Sequence, residues 1–408
     1  MRLYSLNFAQ FGTALALAVV TVVSFNEQAL AQNLPPRIRF GLLTAVTGGA
    51  ASSGAAASAA VKLAVKEIND AGGLAGRPVD LIIGDTASDT TQAVSEVKRL
   101  IEREQIMLLA GPEIGAFAMA VAPSVSQAKI VSFVVTGAGT LTPQTYPYGF
   151  GAFYPVSGFV RSMVDYAADV LKVKSVAVIT DTGAQGVSTH EIFRDYIPKR
   201  GMTMTGLQTG DMRSNDYTAQ LLSLRRGNPE AIIQVSSLGD DIGMVYKNMQ
   251  EIGWNVPLVN QTAAYDSKST MRGGGPDVFK AGRIHSQTLK YTTFCPGDPV
   301  GGSPYAKFLD ALKSSTGTAF PNLNLGSAVL WYDGMQAIRA AVEATRTVDG
   351  PTLAKWIETN SGSVKSAGAQ LSASASSHFL YSSDVFAYTT RPDQPREDGL
   401  TPRNGCAR

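Results

Sequence analysis

The chain has 408 residues, 44% hydrophobic and 17% charged, which is enough for two or three domains of ~100–200 residues. Its formal net charge of +2 gives no electrostatic basis for binding nucleic acid or an anionic membrane surface. Three histidines, and two cysteines without Cys/His ligand spacing, argue against a metal centre, so we expect no metal and no cofactor.

The first residues are typical of a cleavable export signal. Arg2 supplies a positive start, and the apolar run at 14–23 is shorter than the ~20 residues that a membrane span needs. Ala-Leu-Ala at 29–31 fits the small-x-small cleavage rule. We therefore expect residues 1–31 to be a signal peptide, and the mature protein to be periplasmic.

Beyond the signal, short apolar strands alternate with amphipathic helices in two series. The first series has strands at 38–43, 79–84, 106–110 and 130–135, with helices at 55–71, 91–105 and 117–128. The second has strands at 175–180, 202–207, 231–235 and 257–259, with helices at 158–171, 188–200, 217–226 and 242–252. A helix between two strands requires a crossover, which predicts parallel sheets. The sequence thus predicts an α/β fold of two Rossmann-like lobes with parallel-rich central sheets and a cleft between them.

The remaining residues, 281–408, are expected to complete both lobes through a three-strand hinge. A strand at 285–291, an edge strand pair within 379–388 and helices at 304–316, 324–344 and 352–360 are predicted; Trp331 and Tyr332 are assigned to helix core. The predicted N-terminal lobe is 37–154 and 287–365, the C-terminal lobe 155–286 and 366–390, and the tail 391–408.

Two groups of residues have a structural interpretation. Cys295 and Cys406 can form a disulfide in an oxidising compartment, which would link the C-terminal tail to the rest of the protein. Alternatively, they are two unrelated thiols. Asp85 and Asp89, beside the second strand, fit a helix N-cap role better than a binding role.

Several segments carry a family resemblance. They are 38–43 (IRFGLL), 48–54 (GGAASSG), 64–85 (AVKEINDAGGLAGRPVDLIIGD), 108–118 (LLAGPEIGAFA), 176–181 and 215–222 (NDYTAQLL). In them the chain resembles a periplasmic substrate-binding protein of the branched-chain amino-acid type, with the type I periplasmic binding fold. The resemblance implies capture of a small ligand by lobe closure, and delivery of that ligand to the permease of an ABC importer by a monomeric protein.

The resemblance also implies which residues line the site. In the first lobe these are the backbone amides of 115–117 and the loop after the fourth strand. In the second lobe, Gln185 and Leu238 stand where relatives carry aromatic side chains, and Thr262 stands where they carry a glutamate for the ligand ammonium. The expected ligand-binding residues are Ser53, Gly115, Ala116, Phe117, Ala138, Gly139, Phe153, Gln185, Leu238 and Thr262. Phe153 and its neighbour Tyr154 have an alternative interpretation as hinge packing.

These departures bear on the ligand. A neutral threonine cannot neutralise a buried ammonium, whose desolvation costs several kcal/mol. The residues expected to line the pocket at Ser53, Gly115, Gly139 and Leu238 are smaller than in relatives and leave room for a bulkier ligand group. We therefore expect a carboxylate with an aromatic or extended body rather than a plain branched-chain amino acid. Amides, urea-like compounds and short peptides are the alternative.

Other functional classes are less well supported. The first loop lacks the G-x-G-x-x-G spacing of a dinucleotide site, and the chain has no G-x-S-x-G elbow or P-loop, so we do not expect an enzyme. A ligand sensor that presents itself to a membrane receptor would have the same fold, because transport and sensing both depend on the closed lobe pair.

Overall fold

The structure is a computed structural model, and it describes residues 34–137, 139–236, 238–261 and 267–406. The expected signal peptide, Ala138 and Thr262 lie outside the described residues, as does the side chain of Gln185. Across the described ranges, no helix is both long enough and apolar enough to cross a bilayer. The same ranges contain no group of three or more His, Cys, Asp or Glu side chains that could hold a metal ion.

The first lobe is built on a sheet of five parallel strands in the order β2-β1-β3-β4-β5. The strands are β1 (Ile38–Thr44), β2 (Val79–Asp85), β3 (Leu108–Ala110), β4 (Val131–Val134) and β5 (Gly149–Gly151). Helices α1 (Ala51–Asp70), α2 (Thr90–Glu102) and α3 (Gly115–Gln127) connect them. The apolar side chains of β1, β3 and β4 are almost fully buried, as expected for a parallel sheet covered on both faces.

The second lobe has a six-stranded sheet in the order β12-β10-β9-β8-β6-β7, parallel except at its β12 edge. Its strands are β6 (Ser175–Asp181), β7 (Thr203–Gly210), β8 (Ala231–Val235), β9 (Leu258–Asn260), β10 (Ile284–Leu289) and β12 (Phe386–Thr389). Its helices are α4 (Val156–Asp169), α5 (Ala184–Ser188), α6 (His190–Lys199), α7 (Thr218–Arg225), α8 (Gly239–Glu251) and α9 (Ser267–Gly274). The predicted two-lobed α/β fold is therefore confirmed.

The later helices return to the first lobe. Helices α10 (Pro304–Thr316) and α11 (Leu325–Thr345) pack against α1, and α12 (Gly350–Asn360) packs against β4. Each begins at a side-chain cap, because Ser303, Asn324 and Asp349 accept the backbone N–H three residues ahead. Trp331 of α11 is fully buried and meets the Phe133 ring edge-on, which agrees with its assignment to helix core.

The chain crosses between the lobes three times. The crossings lie between β5 and α4, between β11 (Thr293–Phe294) and α10, and between residues 381 and 386. The last crossing is later than the expected boundary at 366, because the Leu380 N–H donates to the Gly151 carbonyl at the edge of the first sheet. Likewise residues 287–289, expected in the first lobe, belong to β10, which pairs on both sides within the second sheet.

The C-terminal tail is fixed to the second crossing. Strand β13 (Thr401–Pro402) pairs in parallel with β11, and a disulfide joins Cys295 to Cys406. The guanidinium of Arg396 lies 4.2 Å from the Phe294 ring centroid and forms an ion pair with Asp398. The tail therefore packs on the body of the protein as far as residue 406.

Candidate functional site

A cavity of about 970 Å³ lies between the carboxyl ends of the two sheets. The N-terminal ends of α1, α3, α4 and α11, the loop after β4 and the end of β10 all contribute to its walls. In open α/β sheets, ligands bind beyond the carboxyl ends of the strands. This cavity is therefore the candidate functional site.

The start of α3 forms part of the first-lobe wall. Gly115 and Ala116 line the cavity at the first two positions of the helix. The first N–H groups of a helix have no intrahelical partner, and the helix dipole makes this end favourable for an anion. The side chain of Phe117, by contrast, is buried in the apolar core with Val121 and Val125, so only its backbone can serve the cavity.

Glu113 also lines this wall, and the sequence reasoning did not identify it. Its Oε1 accepts the Ala45 N–H at 2.9 Å, and its Oε2 accepts the Thr44 hydroxyl at 3.1 Å. Burial raises the pKa of Glu113 and outweighs these hydrogen bonds, and the negative charge of Asp85 adds to the rise. A lone acid in the loop that follows a parallel strand is the signal that could have identified it.

Asp85, at the end of β2, organises the loop between β1 and α1. Its Oδ1 accepts the N–H groups of Val46, Thr47 and Ala87, and its Oδ2 accepts the Thr47 hydroxyl at 2.7 Å. Burial opposes ionisation, but these hydrogen bonds lower the pKa of Asp85 below its ordinary value. Together Asp85 and Glu113 hold the first loop from two neighbouring strands.

The structure brings half of the ten expected ligand-binding residues to the cavity. They are Ser53, Gly115, Ala116, Gly139 and Phe153. Leu238 is the N-cap residue of α8 and is not part of the cavity lining.

The two hinge aromatics have different environments. The Phe153 and Tyr154 rings are 4.1 Å apart, and Tyr154 meets the Phe386 ring at 4.7 Å. Tyr154 is buried against β12, whereas Phe153 is half-buried and lines the cavity. The geometry places Phe153 where a ring can stack on a ligand and Tyr154 where it packs the hinge, although both contribute to the lining.

The second-lobe wall presents hydroxyl and amide groups together with aliphatic side chains. Thr288 and Thr292 share a hydrogen bond of 2.8 Å between their hydroxyls. Gln261 is 4% exposed; its Nε2 donates to the Ser236 carbonyl, and its Oε1 has no hydrogen-bond partner. Among the described residues that line the cavity, Glu113 is the one charged side chain.

A sequence comparison assigns the family. The profile of the periplasmic binding protein family matches residues 37–390. The chain belongs to the periplasmic binding protein family. Members of this family bind small ligands and work with ABC transporters.

Individual relatives agree with this assignment. The protein is 26% identical to an amino acid binding protein of Pseudomonas aeruginosa over 65% of this chain and 70% of the relative. It is 24% identical to the Leu/Ile/Val-binding protein homolog 7 of Brucella suis over 76% of this chain and 78% of the relative. The resemblance to the branched-chain amino-acid type of periplasmic binding protein is thereby confirmed.

Solved structures show the same fold. The branched-chain amino acid transporter substrate binding protein of Streptococcus pneumoniae, in complex with isoleucine, superimposes with a TM-score of 0.66 at 18% identity over 90% of this chain and 94% of that chain. A solute binding protein of an ABC transporter from Rhodopseudomonas palustris, in complex with 3,4-dihydroxy benzoic acid, superimposes with a TM-score of 0.67 at 21% identity. The match covers 85% of this chain and 91% of that chain. The type I periplasmic binding fold therefore accommodates ligands of different chemistry.

Proposed function

We propose that this periplasmic binding protein captures a small organic carboxylate with an aromatic or extended body. It closes its two lobes around the ligand in the periplasm and presents the ligand to the permease of an ABC importer. The observation that carries the proposal is a single cavity whose walls come from both lobes and whose first-lobe wall includes the start of α3. A ligand that contacts both walls favours the closed state by its differential affinity, and no chemical step is needed.

The carboxylate of the ligand is expected at the start of α3. The backbone N–H groups of Gly115 and Ala116 are available there and are reinforced by the helix dipole. Aliphatic and aromatic side chains surround the remaining space and suit an apolar ring or chain; they are Ile114, Met119, Phe153, Val156, Ile192, Leu289 and Leu330. The dihydroxybenzoate complex of the Rhodopseudomonas palustris neighbour is a precedent for such a ligand on this fold.

The second-lobe wall does not favour a plain α-amino acid. A buried ammonium needs a counter-charge and several acceptors, because its desolvation costs several kcal/mol. None of the described residues of this wall carries a carboxylate. A ligand without an ammonium group therefore fits the second-lobe wall better.

A thermal-shift screen of the protein beginning at Gln32 tests the proposal. Benzoates and phenylpropanoates are compared with leucine, valine and glutamate at equal concentration. A ligand at 100 times its Kd stabilises the folded state by about 2.7 kcal/mol, which a melting curve resolves. The proposal is wrong if any of the three amino acids raises the melting temperature more than every aromatic acid does.

A charge placed at the start of α3 tests the position of the carboxylate. Ala116→Asp puts an anion on an exposed position of the cavity wall, so we expect at least tenfold weaker binding of an aromatic acid, or about 1.4 kcal/mol. Ser52→Asp is the matched control, because Ser52 is exposed at the start of α1 but outside the lining. Equal affinity in both variants would place the carboxylate elsewhere.

A further inference from the structure

Glu113 is the unusual member of the cavity lining. It is the single charged side chain among the described lining residues, in a cavity otherwise formed by neutral groups. Its two oxygens are held by the Ala45 N–H and the Thr44 hydroxyl, both at the end of β1. The carboxylate is therefore fixed in direction by the fold, as a group that recognises a ligand must be.

The acceptor capacity of Glu113 is not exhausted by these contacts. A carboxylate has about four lone-pair sites, of which the N–H groups of Ala45 and of Glu113 itself and the Thr44 hydroxyl use three. Hydrogen bonds to an ionised acceptor are roughly twice as strong as neutral ones, so a donor on the ligand would be bound well here. A ligand without a donor would desolvate the carboxylate with no compensating hydrogen bond, so it would bind more weakly.

An ammonium group has three N–H donors to satisfy, and Glu113 is the one charged acceptor among the described lining residues. A single hydroxyl needs one acceptor.

We propose that Glu113 is a specificity-determining residue, which selects carboxylate ligands that carry a neutral hydrogen-bond donor, in particular an aromatic hydroxyl, over the same ligands without one. This inference rests on the proposed function and narrows its ligand class to hydroxylated aromatic acids. Selection by a buried acceptor is strong, because the analogue that lacks the donor leaves the acceptor unpaired.

Titration calorimetry with matched ligands tests the inference. Benzoate, the three monohydroxybenzoates and 3,4-dihydroxybenzoate are titrated into the wild-type protein, into Glu113→Gln and into Glu102→Gln. We expect at least one hydroxylated acid to bind wild type ten times more tightly than benzoate does. In Glu113→Gln this ratio should fall to about threefold or less, since the charged acceptor is lost.

Glu102→Gln is the control for the loss of one negative charge, because Glu102 is exposed at the end of α2 and outside the lining. It should keep the wild-type ratio. The ratio in wild type is itself a test that does not depend on how well Glu113→Gln folds. A wild-type ratio near one, or an unchanged ratio in a folded Glu113→Gln, would overturn the inference and leave the proposed function standing.

Two further outcomes separate the inference from the proposed function. If leucine binds more tightly than every aromatic acid and Glu113→Gln abolishes this binding, the donor is an ammonium group, and both proposals are wrong. If no aromatic acid binds the wild-type protein while an amide or a short peptide does, the proposed function is wrong, and the inference falls with it.

Discussion

The two lobes differ in how their buried and loop polar groups are satisfied. In the first lobe, Asp85 accepts four hydrogen bonds, and Glu113 is held by Thr44 and Ala45. In the second lobe, buried polar side chains occupy one row across β8, β9 and β10, since Gln234 pairs in register with Asn260 and Asn260 with Ser286. Both side-chain polar atoms of Asn260, Oε1 of Gln234 and Oγ of Ser286 have no partner.

This difference indicates that the two lobes are stabilised in different ways. A buried polar atom without a partner costs about 1–3 kcal/mol, so the row in the second sheet lowers the stability of that lobe. The first-lobe wall is held in place by hydrogen bonds within the protein. We infer that the first lobe presents a fixed binding surface, and that the second lobe is the less stable of the two.

The largest expected effect comes from the close approach of α1 to β1. A Cβ at Gly54 would lie 1.8 Å from the Ala45 carbonyl oxygen, which no side-chain movement can relieve. Gly54→Ala should therefore lower the free energy of unfolding by about 3 kcal/mol or more, measured by urea unfolding. Gly186→Ala is the counterpart in the second lobe, where the new Cβ would lie 2.4 Å from the Asp181 carbonyl oxygen. It should lower the free energy of unfolding by less than Gly54→Ala does.

Gly49→Ala is the control for these two substitutions. A Cβ at Gly49 meets no atom within 4 Å, and Gly49 lies in the loop just before α1, the helix that contains Gly54, without a positive φ. The free energy of unfolding of this variant should stay within about 0.5 kcal/mol of the wild-type value. If Gly186→Ala were the more damaging variant, the first-lobe wall would not be the more tightly constrained one.

The fold could be predicted from the sequence alone, for a physical reason. The alternation of strands and helices fixes parallel sheets, and the carboxyl ends of parallel strands meet at one edge. Gly115 and Ala116 were expected from the family resemblance, and both line the cavity at that edge. Asp89 was also assigned correctly, since it accepts the Gln92 N–H as the N-cap of α2.

Side-chain direction in the loops was harder to predict. Glu113 was missed because its orientation depends on Thr44 and Ala45, which are distant in the sequence and meet it only through the strand order. Leu238 was assigned to the cavity because relatives carry an aromatic side chain at this place after β8, but it occupies the N-cap position of α8 outside the lining. Strand ends locate a loop, whereas contacts from neighbouring strands orient its side chains.

The third crossing was predicted at residue 366, too early in the chain, because residues 364–381 show no periodic pattern. Their position depends on a long-range contact, the hydrogen bond from the Leu380 N–H to Gly151, which local sequence does not encode. The order of the tail is a similar case. The tail is held by the pairing of β13 with β11 and by the disulfide between Cys295 and Cys406, a pair separated by 111 positions.

A buried acid near the hinge provides a pH test of the first lobe. Asp333 of α11 accepts the N–H groups of Ala367 and Gly368 at 2.7 and 2.9 Å and the Tyr381 hydroxyl. Burial nevertheless raises its pKa from 3.8 to about 6, against these hydrogen bonds. The folded state therefore keeps this proton over a pH range in which the unfolded state has lost it.

The sign of the effect follows from that difference. The contribution of Asp333 to the free energy of unfolding is fully present below pH 4 and is lost as the pH rises through about 6. The change amounts to about 3 kcal/mol. Asp333→Asn cannot titrate. Urea unfolding of both proteins at pH 4, 5, 6 and 7 should show the advantage of wild type over the variant shrinking by up to this amount. A constant difference across the range would show that Asp333 keeps an ordinary pKa.

The smallest expected effects have opposite signs in the two lobes. Asn260→Leu replaces a fully buried amide without partners by an apolar side chain of similar size, so it should raise the free energy of unfolding by about 1 kcal/mol. Asn69→Leu, in the first lobe, removes two hydrogen bonds between the Asn69 amide and the Val79 backbone and should lower it by about 1 kcal/mol. Urea unfolding without added ligand measures both. Destabilisation by Asn260→Leu would mean that the polar row in the second sheet is satisfied in solution, and that the two lobes do not differ in this respect.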